Sequence, residues 1–127
     1  MKLDNNQDLK SFKDLVTNIE TGIFITRLEK DKLMGRKLST TEVDENGHLW
    51  FFTEKQSDQL NEVSKNNEVY IIYESEAHNT YMVVTGTASL STDKNKINKL
   101  YGQKNLQEKQ DIKQLSLLMV IPSHIEI

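Results

Sequence analysis

The sequence predicts a mainly β, α+β fold: a small antiparallel sheet or barrel of about six strands with two or three flanking helices. Helical and extended patterns follow one another in the order α-β-β-β-α-β-β-α-β, without regular strand–helix–strand alternation. Short polar or glycine-containing turns join most of the strands, as in hairpins. The length of 127 residues fits a single domain, 1–127, in which residues 1–7 are expected to form a flexible N-terminal segment.

The first predicted element is a helix at Asp8–Ile19, where apolar residues recur at helical spacing. Asn5 or Asn6 is placed to cap its start. Gly22 lies just past its end, where a residue in the left-handed conformation commonly stops a helix.

Three extended segments come next. The first, Gly22–Leu28, is β-branched and apolar, which is typical of a strand buried on both faces or nearly so. After a polar turn, Leu33–Val43 forms a second extended segment. Asp44–Gly47 is the strongest turn signal, because Asn-Gly supplies the positive φ angles of a type I′ turn. His48–Thr53 returns as the next strand.

A short helix at Ser57–Ser64, with Ser57 as its N-cap, separates these strands from the next two. The strands are predicted at Glu68–Tyr73 and Tyr81–Leu90. Gly86 interrupts the second of them, and a glycine inside a strand often marks a bulge or a bend at a barrel corner.

The last part of the chain is predicted as a helix, a polar segment and a final strand. The helix covers Asp93–Tyr101, and the polar Gln103–Gln114 is typical of a loop or a frayed helix. The strand Leu115–Ile121 is expected to end at Pro122. Ile125–Ile127 resembles the start of another strand.

Composition excludes several classes of function. The net charge of −3 argues against a nucleic-acid-binding protein, which needs a basic face. The absence of cysteine excludes disulfide frameworks, thiolate metal sites and a cysteine nucleophile. No apolar run approaches the roughly 20 residues of a membrane span, and the polar start of the chain lacks a signal-peptide core. We therefore expect a cytoplasmic protein without a membrane or nucleic-acid partner.

Most local motifs favour no particular chemistry. The three histidines, His48, His78 and His124, lack metal-ligand spacing, so no metal site is predicted. The scattered glycines form neither a P-loop nor a dinucleotide-binding motif. A nucleophile elbow, which a serine hydrolase of the α/β type would need, is also absent.

One segment has the chemistry of a site for a planar phosphorylated ligand. Gly35–Thr41 carries two cations and three hydroxyls, and the hairpin then brings back Trp50–Thr53, followed by Lys55 and Ser57. Arg36 can bind a phosphate through two parallel hydrogen bonds. A helix that starts at Ser57 offers unpaired N–H groups and a positive dipole end. An ordinary amphipathic hairpin followed by a capped helix explains the same residues without a ligand.

Three motifs occur in a familiar order. They are Arg36-Lys37-Leu38-Ser39-Thr40, Leu49-Trp50-Phe51-Phe52-Thr53 with Ser57-Asp58-Gln59, and Tyr81-Met82-Val83-Val84-Thr85-Gly86-Thr87-Ala88. This order resembles the pyridoxamine 5'-phosphate oxidase-like family, in particular its short branch of bacterial general stress proteins. The resemblance covers roughly Leu9 to Ile127 and implies a split β-barrel that binds FMN between the two subunits of a homodimer.

The resemblance also implies roles for individual residues. Arg36 and Ser57 would bind the FMN phosphate. The backbone of the strand Lys37, Leu38, Ser39 and Thr40 would contact the isoalloxazine ring, and Phe52 with Thr53 would lie along the ring and the ribityl chain.

The sequence departs from the family pattern at three places, one of which is Lys37, where the general stress proteins often have proline. Family members usually carry a second phosphate-binding lysine where this chain has Gln59, so Lys55 or Lys37 would have to replace it. The segment Gln103–Lys113 lacks the aromatic residues expected near the ring. Loss of a charged hydrogen bond costs roughly 1.5–3 kcal/mol. Weak FMN binding, FAD in place of FMN, and loss of flavin binding are the resulting alternatives.

Three functions remain open from the sequence. The first is a flavin-dependent oxidoreductase acting on an unknown small-molecule substrate, in which the flavin carries the redox chemistry. No side chain stands out as a catalytic acid or base, which suits this role, and the basic substrate-binding residues of true oxidases are not evident. The second is a non-catalytic flavin-binding or phosphorylated-ligand-binding module, a store or sensor in the stress response. The third is a dimeric scaffold that has lost its ligand.

Overall fold

The computed structural model describes residues 1–77, 79–103 and 111–127. His78 and most of the predicted polar segment Gln103–Gln114 therefore lie outside the described residues. The helices are α1 (Asn6–Ile19), α2 (Asp58–Lys65) and α3 (Lys94–Gly102), and the strands are β1 (Thr21–Arg27), β2 (Leu33–Ser39), β3 (Glu42–Val43), β4 (Leu49–Glu54), β5 (Glu68–Ser75), β6 (Thr80–Ser91) and β7 (Leu115–Glu126).

All seven strands belong to one antiparallel sheet with the order β2-β1-β5-β6-β7-β4-β3. The sheet curls into a half-barrel. With its three helices it confirms the predicted mainly β, α+β fold class.

The connection between β2 and β3 requires this curl. The two strands lie at opposite edges of the sheet, although only Thr40 and Thr41 separate them. From Ser39 to Glu42 the extended chain spans at most about 11 Å, whereas seven flat strands would span about 28 Å. The Thr40 N–H donates to the Glu20 carbonyl at 2.8 Å, and the Thr41 N–H donates to the Trp50 carbonyl, also at 2.8 Å. The chain thus passes from one edge to the other between two adjacent residues.

The inner face of the curled sheet forms the core. Phe24 of β1 and Phe51 of β4 meet edge to face, with ring centroids 5.4 Å apart. Helix α1 adds the buried Phe12 and Val16, and α2 adds Val63. Each helix thus contributes the stripe that its sequence periodicity predicts.

Local capping chemistry positions the helices as predicted. The Asn5 side chain accepts hydrogen bonds from the N–H groups of Gln7 and Asp8, and Ser57 accepts one from Leu60. Asp93, predicted as the first residue of the third helix, is instead its N-cap, and α3 begins at Lys94. Among the described helices, none has the length and apolar character needed to cross a lipid bilayer.

The end of α1 and the start of β1 differ from the prediction. The left-handed residue that ends α1 is Glu20, with φ 66°, and Gly22 belongs to β1. Gly22 faces the core, and a Cβ there would lie 2.8 Å from a ring carbon of Tyr73. Close packing therefore requires this glycine. β1 is also buried on one face rather than on both.

The predicted second strand, Leu33–Val43, is two strands, β2 and β3, because the chain changes edge at Thr40 and Thr41. This raises the strand count from about six to seven.

The hairpin at Asp44–Gly47 is confirmed, but its predicted type I′ turn is wrong. Within this turn Gly47 alone has a positive φ, of 82°. The Asp44 carboxylate accepts the Asn46 and His48 N–H groups and so stabilises a different turn.

Strand β7 continues through Pro122 to Glu126, so the predicted end at Pro122 is wrong. Pro122 lies opposite Gly86, at a register shift between Thr85 and Gly86. Proline has no N–H to donate, and an irregular position in a sheet tolerates this. The same register shift confirms the bulge predicted at Gly86, where a Cβ would lie 2.7 Å from the Ile121 carbonyl oxygen.

Candidate functional site

The residues predicted to bind a ligand lie on β2, on β4 and at the start of α2. They are Arg36, Lys37, Leu38 and Ser39 on β2, Thr40 just after it, Phe52 and Thr53 on β4, and Lys55, Ser57 and Gln59 around the start of α2. The fold brings the β2 and α2 residues together, because α2 contacts the β1–β2 hairpin through a side-chain ion pair.

That ion pair joins Arg36 to Glu62. The two terminal nitrogens of Arg36 donate to the two carboxylate oxygens of Glu62, with Nη1–Oε1 at 2.9 Å and Nη2–Oε2 at 2.8 Å. This is the bidentate geometry in which arginine binds carboxylates and phosphates. The Arg36 side chain is 29% exposed and that of Glu62 is 12% exposed. The predicted phosphate-binding arginine therefore already holds an anion of its own chain.

A second group fixes the Glu62 carboxylate. The hydroxyl of the fully buried Thr26, on β1, donates to Glu62 Oε1 at 2.8 Å. The hydrogen bonds from Arg36 lower the pKa of Glu62, and this outweighs the opposing effect of burial. The Glu62 carboxylate likewise raises the pKa of Arg36, with a smaller contribution from Asp58. Both partners are thus charged at neutral pH.

Ser57 is occupied by the helix that it caps. Its Oγ accepts the Leu60 N–H at 3.3 Å and lies 3.0 Å from the Oγ1 of Thr53. Thr53 points into the buried side of β4. The fold brings these two predicted ligand contacts together. Their hydroxyls hydrogen-bond to each other, and that of Ser57 also accepts an N–H group of α2.

Gln59 lies in the first turn of α2 and is 4% exposed. Its Nε2 is buried and has no hydrogen-bond partner among the described residues. An unpaired buried donor is costly. Where the family would place a cation, this chain has a neutral amide whose donor is unsatisfied.

Neither proposed substitute for that cation lies beside Arg36. Side chains alternate along a strand, so Lys37 faces the opposite side of β2 from Arg36. Lys55 lines a separate cleft of about 360 Å³ with Lys94 and Lys113, near the start of β7. The charges that shift the pKa of Arg36 come from Glu62 and Asp58, both of them carboxylates.

The end of the site that lies along the edge of β2 differs in its chemistry from the Arg36–Glu62 end. Among the described strands β2 pairs with β1 alone, so its second edge carries unpaired backbone groups. Thr40, which follows β2, places its Oγ1 2.7 Å from the phenol oxygen of the buried Tyr73. Phe52 and Thr53 lie on opposite faces of β4, with Phe52 half-buried. Backbone groups and a half-buried aromatic ring suit the edge and face of a planar ligand.

A cleft of about 770 Å³ runs beside the ion pair, between the β1–β2 turn and α2. Glu62 lines it together with Arg27, Lys30, Lys32 and Lys65. Solvent and small anions can therefore approach the carboxylate side of the Arg36–Glu62 pair. In the described part of the chain, no group of three acidic or histidine side chains is arranged to hold a metal ion.

Sequence reasoning missed Glu62, which pairs with Arg36, and Thr26, whose hydroxyl donates to the Glu62 carboxylate. One signal was available for the acidic side: Asp58 and Glu62 are four residues apart and share a face of α2. The edge of β2 offers backbone groups to a planar ring, and Arg36, the predicted phosphate-binding cation, is paired with Glu62.

Comparison with known proteins agrees with this architecture. The sequence profile of the family described as "Pyridoxamine 5'-phosphate oxidase like" matches residues 7–126. Among curated proteins, none matches the chain significantly.

Several solved structures share the fold. General Stress Protein 26 from Bacillus anthracis is 22% identical, with a TM-score of 0.70 over 92% of this chain and 91% of that one. A protein related to general stress protein 26 from Clostridium acetobutylicum is 14% identical, with a TM-score of 0.74 over 95% and 87%. A pyridoxamine 5'-phosphate oxidase-related, FMN binding protein from Nostoc punctiforme is 12% identical, with a TM-score of 0.76 over 94% and 80%. At these identities the similarity shows the fold alone.

Proposed function

This chain belongs to the pyridoxamine 5'-phosphate oxidase-like family, and from that premise we propose that it is a cytoplasmic flavoprotein that binds FMN at the interface of a homodimer. The observation that carries the proposal is the match of the family profile to residues 7–126, which include β2, β4 and α2. The Nostoc punctiforme protein with the same fold, named as FMN binding, supports it.

We propose that the edge of β2 holds the isoalloxazine ring. Its backbone from Lys37 to Ser39 would meet the polar edge of the ring, because β2 has no second partner strand among the described residues. Phe52, half-buried on β4, would cover part of an aromatic face. Arg36 would bind the phosphate of FMN, as the family pattern implies. In the described structure its Nη groups already bind Glu62.

The homodimer proposal is supported by an apolar row on the outer face of the sheet. Ile23, Ile72 and Val83 are direct neighbours across β1, β5 and β6. Ile23 and Val83 are exposed. A contiguous apolar row on an outer face suits association. A second copy of this chain is the occupant that we propose, because the proposed site lies between subunits.

As an enzyme, the protein would be an FMN-dependent oxidoreductase with an unidentified small-molecule substrate. The flavin supplies hydride and electron transfer when bound. The chain's own residues would position it and exclude water. Glu62 is ionised and paired, and burial raises the pKa of Tyr73 above its ordinary value. Neither group is suited to transfer protons at neutral pH.

A second function, a flavin store or sensor without turnover, is favoured by the phosphate end of the site. Gln59 is neutral, and Arg36 is already paired. Both features weaken the hold on a phosphorylated cofactor. Loose binding suits a protein that responds to the concentration of its ligand better than one that retains a cofactor.

The protein purified without added cofactor tests the proposal. We expect a flavin absorption band after purification or after titration with FMN, and mass spectrometry of the released ligand distinguishes FMN from FAD. A protein that neither carries nor takes up any flavin contradicts the proposal. Reduction of the bound flavin by a nicotinamide donor and reoxidation by an acceptor favour the enzyme. Binding without reduction favours the store or sensor.

A further inference from the structure

We propose that Glu62 competes with the phosphate of the ligand for Arg36, so that the phosphate adds little to flavin affinity in this chain. This inference rests on the proposed function. It assigns to Glu62 a role in ligand selection. The site would distinguish FMN from riboflavin poorly, because the Glu62 carboxylate already binds the Arg36 guanidinium that would otherwise bind the phosphate.

Glu62 occupies the paired donors of Arg36 that a phosphate would need. A guanidinium group binds one planar anion through a parallel pair of donors. Both Nη atoms of Arg36 already donate to Glu62, at 2.9 and 2.8 Å. A phosphate can form its own bidentate contact only after the carboxylate has moved. The two anions therefore compete for the same donors.

Moving Glu62 away from Arg36 has a cost in free energy. Its Oε1 also accepts the hydroxyl of Thr26, which is fully buried. If Glu62 leaves, the Thr26 hydroxyl keeps a long contact of 3.5 Å to the Met34 carbonyl. Displacing Glu62 from Arg36 also leaves its partly buried carboxylate without a cationic partner, which is unfavourable. The ligand phosphate would have to offset this loss before it adds any affinity.

Helix α2 carries acidic side chains close to Arg36. Asp58 and Glu62 both act on Arg36, and Gln59 between them is neutral. Two carboxylates therefore act on the one guanidinium, whereas the cations Arg27, Lys30, Lys32 and Lys65 line the neighbouring cleft on the Glu62 side of the pair. The positive end of the α2 dipole favours an anion. Asp58, in the first turn, and the Ser57 side chain already meet that end of the helix.

The test compares FMN with riboflavin, which lacks the phosphate. Dissociation constants are measured by flavin fluorescence for the wild type, Glu62→Gln and Glu68→Gln. Glutamine keeps the shape of Glu62 and can still accept from Arg36 and Thr26, but it removes the charge. Glu68 pairs with Arg27 at 3.4 Å rather than with Arg36, and its side chain is 50% exposed. Its substitution matches the change in net charge.

We expect the wild type to bind FMN and riboflavin within about threefold of each other. Glu62→Gln should tighten FMN binding by about tenfold or more, as expected for one charged hydrogen bond gained. Riboflavin binding should stay within about twofold. Glu68→Gln should change neither. Asp58→Asn changes an exposed residue and should tighten FMN binding by a smaller factor. If Glu62→Gln fails to fold, this variant tests whether the carboxylates of α2 weaken phosphate binding.

Other outcomes overturn the inference while the proposed function stands. One is a wild type that binds FMN at least about thirtyfold more tightly than riboflavin. Another is a Glu62→Gln variant that improves the binding of both flavins equally. If no variant binds any flavin, the proposed function fails, and the thermal shift caused by inorganic phosphate then decides the inference. A larger rise in Tm for Glu62→Gln than for the wild type and Glu68→Gln supports competition at Arg36, and equal shifts overturn it.

Discussion

The hydroxyl of Thr40 and the phenol of Tyr73 meet at 2.7 Å, which joins the end of β2 to the centre of the sheet in β5. Tyr73 is fully buried. Burial raises the pKa of Tyr73, so the phenol keeps its proton across the physiological range. Thr40 directly follows β2, the strand whose edge is proposed to hold the flavin ring, and this hydrogen bond therefore links the core to the candidate site.

The first prediction concerns that hydrogen bond. Tyr73→Phe and Thr40→Val should each lower the free energy of unfolding by about 1 kcal/mol, because each removes one partner of this part-buried hydrogen bond. The double variant should lose about as much as one single variant, since both substitutions remove the same bond. Urea denaturation of all four proteins measures this. Strict additivity of the two losses would show that the hydroxyls do not interact.

The second prediction concerns Gly22. A Cβ at this position would lie 2.8 Å from Tyr73 Cε1 and 2.9 Å from Ile71 Cγ2, both in the core. Gly22→Ala should therefore destabilise the protein by about 1–3 kcal/mol through overpacking. Gly102→Ala is the control, because a Cβ there meets nothing within 4 Å. In α3 it should leave stability unchanged or raise it slightly. Equal thermal stability of the two variants would contradict the packing argument.

Much of the fold could be predicted because its signals are local. A cap joins a side chain to an N–H group two or three residues away, so Asn5, Ser57 and Asp93 are visible in the sequence. The break at Thr40 and Thr41 is not local, because it depends on which edges of the sheet meet.

The same division applies to the candidate site. The order strand, hairpin, helix predicts that Arg36 and Ser57 lie on neighbouring elements. It does not predict that Arg36 meets Glu62, because that contact depends on how α2 packs on β1 and β2. Lys37 and Arg36 are adjacent in sequence and face opposite sides of β2. Charges that are close in the chain are therefore not necessarily close in the site.

The third prediction is a pH dependence of stability that arises from Glu62. Its pKa is lowered from 4.5 in the folded protein, chiefly by the hydrogen bonds from Arg36. The contribution of the carboxylate is then fully present above its ordinary pKa and is lost as the pH falls through the lowered value. The free energy of unfolding of the wild type should exceed that of Glu62→Gln by about 1 kcal/mol near pH 7, and this difference should shrink below about pH 4.

Urea denaturation across this pH range provides the measurement. Glu68→Gln is the matched control, because its ion pair with Arg27 is largely exposed and such pairs contribute little. A difference between the wild type and Glu62→Gln that stays constant to low pH would assign the effect to packing rather than to charge.

The last prediction tests the outer face of the sheet as the homodimer interface. Val83 is 36% exposed and lies beside Ile72, which in turn lies beside Ile23. Val83→Asp places a charge in this apolar row, and burying an unpaired charge is strongly unfavourable, so the variant should sediment as a monomer at micromolar concentration. Leu90→Asp is the control, because Leu90 is 52% exposed further along β6 and on its opposite face.

A wild type that already sediments as a monomer would contradict both the homodimer and a site between its subunits. Loss of the dimer in both variants would place the interface elsewhere. If Val83→Asp alone dissociates and also loses flavin, the ligand requires both subunits.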